Sequence, residues 1–273
     1  GLAMEILRQH LQIMEVVQLM RLWKTYLHSQ LTCLHNMPMQ ISISNAIGGG
    51  GGAQGGGGSS FENTKSILLD GVDDSVSIGA TPSNLRFNRL DTFSFSAWVK
   101  RVGTNNQVIL SNQLAPSTNY RGYYFAIDAN EKLIVIHRST LSDRLIFNGT
   151  STLNTGWNHV AFTYNGSAST SGGQFYINGS ADTTAGSGTL TGTAESTDTL
   201  YVGCRSNADN FFDGHIDEVA IFNSELSASN VATIYNSGVP NDISSLSPLS
   251  WWRCGDGDTS PTLTDNGSGG NNG

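Results

Sequence analysis

The side chains of this sequence that could act as acids, bases or metal ligands are few and scattered. Asp70, Asp73 and Asp74 crowd the stretch Leu69-Asp70-Gly71-Val72-Asp73-Asp74. Calcium takes about 6–8 oxygen ligands, commonly carboxylates and carbonyls from loops, so an acidic turn is a candidate ion site. Asp70-Gly71 is equally a turn former, its carboxylate bonding nearby backbone amides. His159 would need a nucleophile and an orienting carboxylate to serve as a base; the alternative is a core histidine held by a hydrogen bond inside a sheet. Glycosyl transfer by two carboxylates wants them close together on one strand face, hence at i, i+2. Glu62, Glu131, Glu195, Glu218 and Glu225 are far apart in sequence. Asp217 and Glu218 are adjacent, and strand alternation sends neighbours to opposite faces. No G-x-S-x-G, P-loop or H-E-x-x-H motif is present, so these residues point away from an enzyme.

Composition narrows the class. The chain has 273 residues, enough for one sandwich-sized domain plus extensions, with a net charge of −8 and 13% charged residues. No basic cluster is present, which argues against nucleic-acid binding. No apolar run is long enough for a membrane span. Cys33, Cys204 and Cys254 are widely spaced and form no C-x-x-C pair. A Cys204–Cys254 disulfide and free buried thiols both fit, the second better. Glycine is abundant, and Ser, Thr and Asn fill the second half, as suits short strands joined by tight turns.

Residues 1–36 differ from the rest. Ile6, Ile13, Met20, Leu27 and Leu34 recur every seventh residue, and Val16, Val17, Trp23 and Leu31 widen the stripe. The spacing predicts an amphipathic helix that packs on a partner or on a second copy; a non-native leader ahead of Met37 or Met39 is the competing reading. Residues 37–63 read as an extended arm and a glycine linker, whose eleven residues 48–58 would span roughly 17–20 Å. Gly50 to Gly55 formally meets G-x-G-x-x-G, without the strand–helix context that would make it a phosphate loop.

From residue 64 the pattern is of strands. Ser66–Ile78 reads as strand, turn, strand. Phe93, Phe95, Ala97 and Val99 alternate with Ser94, Ser96 and Trp98, as in a half-buried strand. Tyr123–Ile127 and Lys132–His137 flank a hairpin turn at Asp128-Ala129-Asn130. Asp213-Gly214 reads as a turn before the strand His215–Phe222, which should put Ile216, Val219 or Ala220, and Phe222 inside. Ser227 is placed to cap a short helix, Ala228–Tyr235, that stops at Gly238. The Asn-Gly-Ser/Thr triplets at Asn148, Asn165, Asn178 and Asn266 are read as turns rather than glycosylation sites.

Three of these segments carry a family resemblance. Gly214, Ile216, Asp217, Glu218, Val219, Ile221, Phe222 and Asn223, then Leu226-Ser227 and Tyr235-Asn236-x-Gly238, resemble the closing strand and helix of laminin-G-like, concanavalin-A-like domains. Leu69-Asp70-Gly71-x-Asp73-Asp74-x-Val76-x-Ile78 resembles their opening, and Gly156 to Tyr164 their central strand. The resemblance implies an all-β, antiparallel, two-sheet jelly-roll sandwich with one short helix over residues 64–240. It also implies that His159, Trp98 and Trp157 are structural, and it brings Asp217 near the start of the domain, so that Asp70, Asp73 and Asp217 become the candidate calcium ligands. Residues 241–273 read as an extra strand or as the start of a second such module.

The expectation is a non-catalytic recognition or surface-decoration module. Exposed aromatics on loops suit sugar stacking, and Tyr120, Tyr123, Tyr124, Phe211 and Phe212 are the candidates. Partners would be a glycan or a virion or cell-surface protein, with self-association through the N-terminal arm. Arm, linker and head together suggest a phage-type virion fibre; the alternative is a carbohydrate-binding module of a secreted adhesin or enzyme.

Overall fold

In a computed structural model, the structure describes residues 61–114, 120–206 and 209–273. The helix expected over 1–36 and nearly all of the 37–63 arm and linker lie outside the described residues.

Fourteen strands follow in chain order: β1 (Ile67–Asp70), β2 (Val76–Ala80), β3 (Phe93–Arg101), β4 (Gln107–Ser111), β5 (Gly122–Ile127), β6 (Lys132–Arg138), β7 (Arg144–Thr152), β8 (Asn158–Tyr164), β9 (Gly173–Ile177), β10 (Ser180–Asp182), β11 (Thr184–Thr189), β12 (Thr199–Val202), β13 (Asp213–Phe222) and β14 (Ser250–Trp252). One α-helix, α1 (Ala228–Tyr235), follows β13. They form two seven-stranded sheets. The first runs β1-β13-β3-β8-β9-β10, with β14 also on β13; the second runs β11-β7-β6-β5-β4-β12-β2. Every pairing is antiparallel. This is the expected two-layer sandwich.

The layers close on an aromatic core. Phe87, Phe93, Phe95, Tyr123, Phe125, Phe147, Phe162 and Tyr164 are buried together, with Phe93 and Phe95 rings 5.0 Å apart and Phe147 and Phe162 also 5.0 Å apart. Such tilted and stacked pairs add to simple area burial. The C-terminal segment belongs to the same body. Trp252, Cys254 and Leu263 join this core, and the backbones of Leu263 and Gly273 exchange two hydrogen bonds of 2.8 Å. Cys204 and Cys254 are both buried, and Cys254 is a free thiol, so the two do not form a disulfide.

Local readings are corrected in four places. β1 and β2 do not form a hairpin: β1 pairs with β13 in the first sheet and β2 with β12 in the second, so the acidic turn crosses between layers. β3 is buried on both faces, because Ser94, Ser96 and Trp98 lie beneath α1 and its flanking chain: Ser94 Oγ donates to the Ser224 carbonyl at 2.7 Å, and Trp98 stacks on Tyr235 at 5.8 Å. Asp213-Gly214 is not a turn but the start of β13, and Asn148-Gly149 lies inside β7. Asn178-Gly179 does make the β9–β10 turn, both residues at positive φ (50° and 77°).

α1 shows how sequence sets a terminus. The Ser227 side chain accepts from the Asn230 amide, and Asn236, in the left-handed region at φ 44°, ends the helix two residues before Gly238. Val231 and Ile234 seat the helix on a second apolar cluster with Ala161, Tyr176, Ala220, Phe222, Leu226, Ile243 and Trp251. The outer face of the first sheet is therefore covered.

Candidate functional site

The outer face of the second sheet is built differently, and the strand register defines it. His137 and Tyr123, paired across β6 and β5, point into the core, so their neighbours point out. Three rows result. Ala126, Ile134 and Asn148 form one, Tyr124, Ile136 and Ile146 the next, and Gly122, Arg138 and Arg144 the third. Val108, Tyr124 and Ala126 are buried there, with Ile134 and Ile136 packed on them half-exposed. The face is thus an apolar strip ending in two arginines that sit directly opposite each other. Like charges so placed repel.

Tyr120 and Arg205 complete that end. The Arg138 guanidinium lies 5.1 Å from the Tyr120 ring centre, and Arg205 lies 5.2 Å from Tyr120 and 5.6 Å from Tyr124. These are cation–π distances. Tyr120 sits at φ 41°, a strained region for an aromatic residue that persists where surroundings enforce it. Arg205 is neutralised by Asp209, which accepts from its Nε at 2.8 Å and from Nη2. Arg138 has no such partner: no carboxylate among the described residues pairs with it, its Nε makes no hydrogen bond, and it is 5% exposed. Burial, then the nearby Arg205 and Arg144 charges, lower its pKa to about 10, so it stays charged at neutral pH. Burial likewise raises the Tyr124 phenol to about 12. Beyond Tyr201, on the same sheet, a cavity of about 250 Å³ is lined by Leu114, Asp198, Thr199, Tyr201 and Ser206.

Of the aromatic candidates, Tyr120 belongs to this face and Phe211 is half-buried. Tyr123 and Phe212 do not belong: both are fully buried in the core, where they contact no solvent. Tyr124, one residue on, points outward. Sequence reasoning missed Arg138, Arg144 and Arg205.

The acidic candidates separate into two places. Carboxylate oxygens of Asp70, Asp73 and Asp74 lie within 4.8 Å of one another in the exposed turn. Asp70 Oδ1 accepts from the Val72, Asp73 and Asp74 amides at 2.9–3.4 Å, the bonding of a turn former. Asp217 does not join them. In the β1–β13 register Asp70 faces Asp213, and Asp217 is four residues further along the strand, roughly 13 Å away.

Asp217 instead forms a buried pair with Glu218. The expectation that these neighbours face opposite ways fails because β13 carries a bulge between Asp217 and Ala220, with Glu218 at φ 49°. The bulge also changes the strand's phase: Ile216, Val219 and Ile221 enter the core, and Phe222 turns to the helix side. Asn63 Nδ2 donates to Asp217 Oδ2 at 3.0 Å and to Glu218 Oε1 at 2.8 Å. Trp251 Nε1 donates to Glu218 Oε2 at 2.5 Å, and Arg253 Nε lies 3.4 Å from Oε1. Burial, and for Asp217 also the Glu218 charge, raise both above the usual carboxylate range. A neighbouring cleft of about 620 Å³ is lined by Phe61, Glu62, Asp242, Trp251, Arg253 and Asp256, among others. Several of its polar groups are engaged in holding the N-terminal segment: Asp256 takes the Thr64 and Lys65 amides, and Arg253 the Glu62 carbonyl.

His159 is a core residue. It is fully buried, its Nε2 is 2.9 Å from Ser96 Oγ, and burial depresses its pKa to about 3.

The comparisons agree with this architecture. Residues 70–232 match the laminin-G model described as the concanavalin A-like lectin/glucanases superfamily. That is more than half of the chain, which therefore belongs to this family. Among solved structures, a candidate carbohydrate binding protein from Bacteroides ovatus aligns at TM-score 0.54 and 16% identity, over 77% of this chain and 57% of its own. The binding domain of Paraclostridial Mosquitocidal Protein 1 aligns at TM-score 0.50 and 16% identity, over 64% of this chain and 44% of its own. A heptameric SAP-like pentraxin from Limulus polyphemus aligns at 0.41 and 16%, over 59% and 81%. The chain thus spans about half the length of the first two. No curated protein matches the chain in sequence. Among the described residues no helix is long and apolar enough to cross a membrane.

Proposed function

We propose that this domain is a glycan-recognition module, secreted or displayed on a surface, that binds without catalysis through the outer face of the second sheet. The observation that carries the reading is the juxtaposition there of an apolar strip with Ile134 and Ile136 half-exposed, the rings of Tyr120 and Tyr124, and an arginine with no counter-charge among the described residues. Binding sites combine apolar walls with a few convergent polar groups in this way. The fold supports the same class of role, since its structural relatives include a candidate carbohydrate binding protein.

The family includes glucanases, and two carboxylates bonded to a single nitrogen are close enough in principle to act on a glycoside. Their bonding speaks for another role. Their oxygens already accept from Asn63 and Trp251, with Arg253 beside Glu218, so a sugar would have to displace those groups to reach them. The pair holds the N-terminal segment to β13. A place on a virion fibre draws on the layout of residues 1–63, and the fold adds no support to it. Calcium remains a proposal for the Asp70–Asp73–Asp74 turn alone, without Asp217; an unchanged melting temperature between calcium and chelator would remove it.

The function is tested by screening the whole chain against an oligosaccharide array, then titrating the best ligand into Tyr120→Ala. Wild-type binding that the substitution weakens about tenfold or more is expected. No binding to any sugar, or binding indifferent to Tyr120, would sink the assignment.

A further inference from the structure

We propose that the second-sheet face recognises an acidic sugar, with the Arg138 guanidinium, flanked by Tyr120 and Arg144, receiving the carboxylate or sulfate group. This rests on the glycan reading above and specifies the ligand class of that same site.

The arginines of this molecule differ in how their charge is met. Among the described residues, three guanidinium groups lie over aromatic rings. Arg253 lies 4.2 Å from the Phe61 ring centre and has Glu218 beside it. Arg205 lies over Tyr120 and Tyr124 and is held by Asp209. Arg138 lies over Tyr120, more deeply buried than a typical surface arginine, with no anion among the described residues. Stacking alone therefore does not satisfy an arginine elsewhere in this chain. A buried charge without a counter-charge is unfavourable, and Arg144 directly across the ladder adds repulsion. An incoming anion would relieve both.

The remainder of the site fits a sugar that carries such an anion. A planar guanidinium offers paired donors to carboxylate or sulfate oxygens. Tyr124, Ile136 and Ile146 lie one row away and offer an apolar floor to the ring that bears the charge. Along the edge, the outward positions of β11 that pair with Asn148, Ile146 and Arg144 are Ala185, Ser187 and Thr189, small enough to leave the row open. The chain carries a net charge of −8. An acidic ligand drawn here would thus be answering a local feature rather than the overall field.

The test uses the full chain and three oligosaccharides of matched backbone: neutral, carboxylated and sulfated. Titration calorimetry at 50 and 300 mM salt should give at least about tenfold tighter binding for one acidic form than for the neutral one, with the preference shrinking at high salt. Arg138→Met should abolish the preference while leaving circular dichroism unchanged, and Arg138→Lys should retain part of it. Arg144→Gln, at a half-exposed position, provides the same readout with a smaller loss if Arg138→Met fails to fold. Equal affinity for neutral and acidic forms overturns the inference and leaves the glycan reading intact. So does a preference that survives both substitutions. If free sulfate or acetate raises the melting temperature through Arg138 while no sugar binds, the glycan reading fails and the anion site stands without its sugar. No response to sugar or to anion overturns both.

Discussion

The two outer faces of the sandwich deal with buried charge in opposite ways. On the first sheet, Glu218 is surrounded by Asn63, Trp251 and Arg253, and helix α1 with the segment through Ile243 covers the surrounding apolar surface. On the second, Arg138 is as inaccessible as Glu218, each 5% exposed, yet it has an aromatic ring and two like charges for company. A face that has found its partners inside the chain stabilises the fold. A face that keeps a charge without a counter-charge gives up some stability, which the proposal above assigns to ligand binding. The difference lies in what each charge touches, not in depth.

The sharpest way to break this contrast is at Trp251. Its ring is 6.0 Å from Phe61, and its indole donates to Glu218. Trp251→Ala should cost about 3–5 kcal/mol in urea unfolding; a loss below about 1 kcal/mol would mean that the first face is not a second core. Next comes Asn63→Ala, which removes the donor shared by two carboxylates and should cost about 1–3 kcal/mol. Its pH dependence has a definite sign. Asp217 and Glu218 are raised in the fold, so the stability they contribute is full below the ordinary carboxylate pKa and declines as pH rises through the folded values. Losing Asn63 disfavours the ionised forms further, so the deficit should be larger at pH 7 than at pH 4.5.

His159, beneath the covered face, gives a smaller effect of opposite sign. Burial lowers its pKa to about 3, so its contribution is present above the ordinary histidine value and falls away as pH drops below it. The stability gap between wild type and His159→Gln should narrow by roughly 1–2 kcal/mol from pH 7 to pH 5. Unfolding curves with a constant gap would deny that the imidazole is sealed. Smallest is Arg138→Met. Removing an unpaired charge should shift stability by less than about 0.5 kcal/mol or raise it slightly, while the proposed preference for an acidic sugar disappears. A large destabilisation would make Arg138 structural and erase the contrast.

The scaffold was readable because its central strands carry long, specific motifs. The Trp157–Tyr164 and Gly214–Phe222 segments both flank β3 in the first sheet, and the alternation of Phe93 to Val99 named their shared neighbour. The site was less readable for two physical reasons. β5 reads GYYFAI and is buried throughout, so no polar residue marks which tyrosine faces out. The signal lay one strand away: Lys132 and Arg138 share a parity on β6, and carrying that parity across the hairpin turns Tyr124 outward and Tyr123 inward. The bulge in β13 left no mark on the apolar pattern, since Val219, Ala220 and Ile221 offer a candidate for either phase, and it is the bulge that brings Asp217 and Glu218 together.

The clasp around Asn63 also gives the module a front and a back. Phe61 leans on the covered layer, stacked with Trp251, while Arg138 and its tyrosines occupy the far layer. Force applied to the chain at Phe61 would therefore meet the Asn63 clasp and the acid pair on the covered layer, on the opposite side of the sandwich from Tyr124 and Arg138.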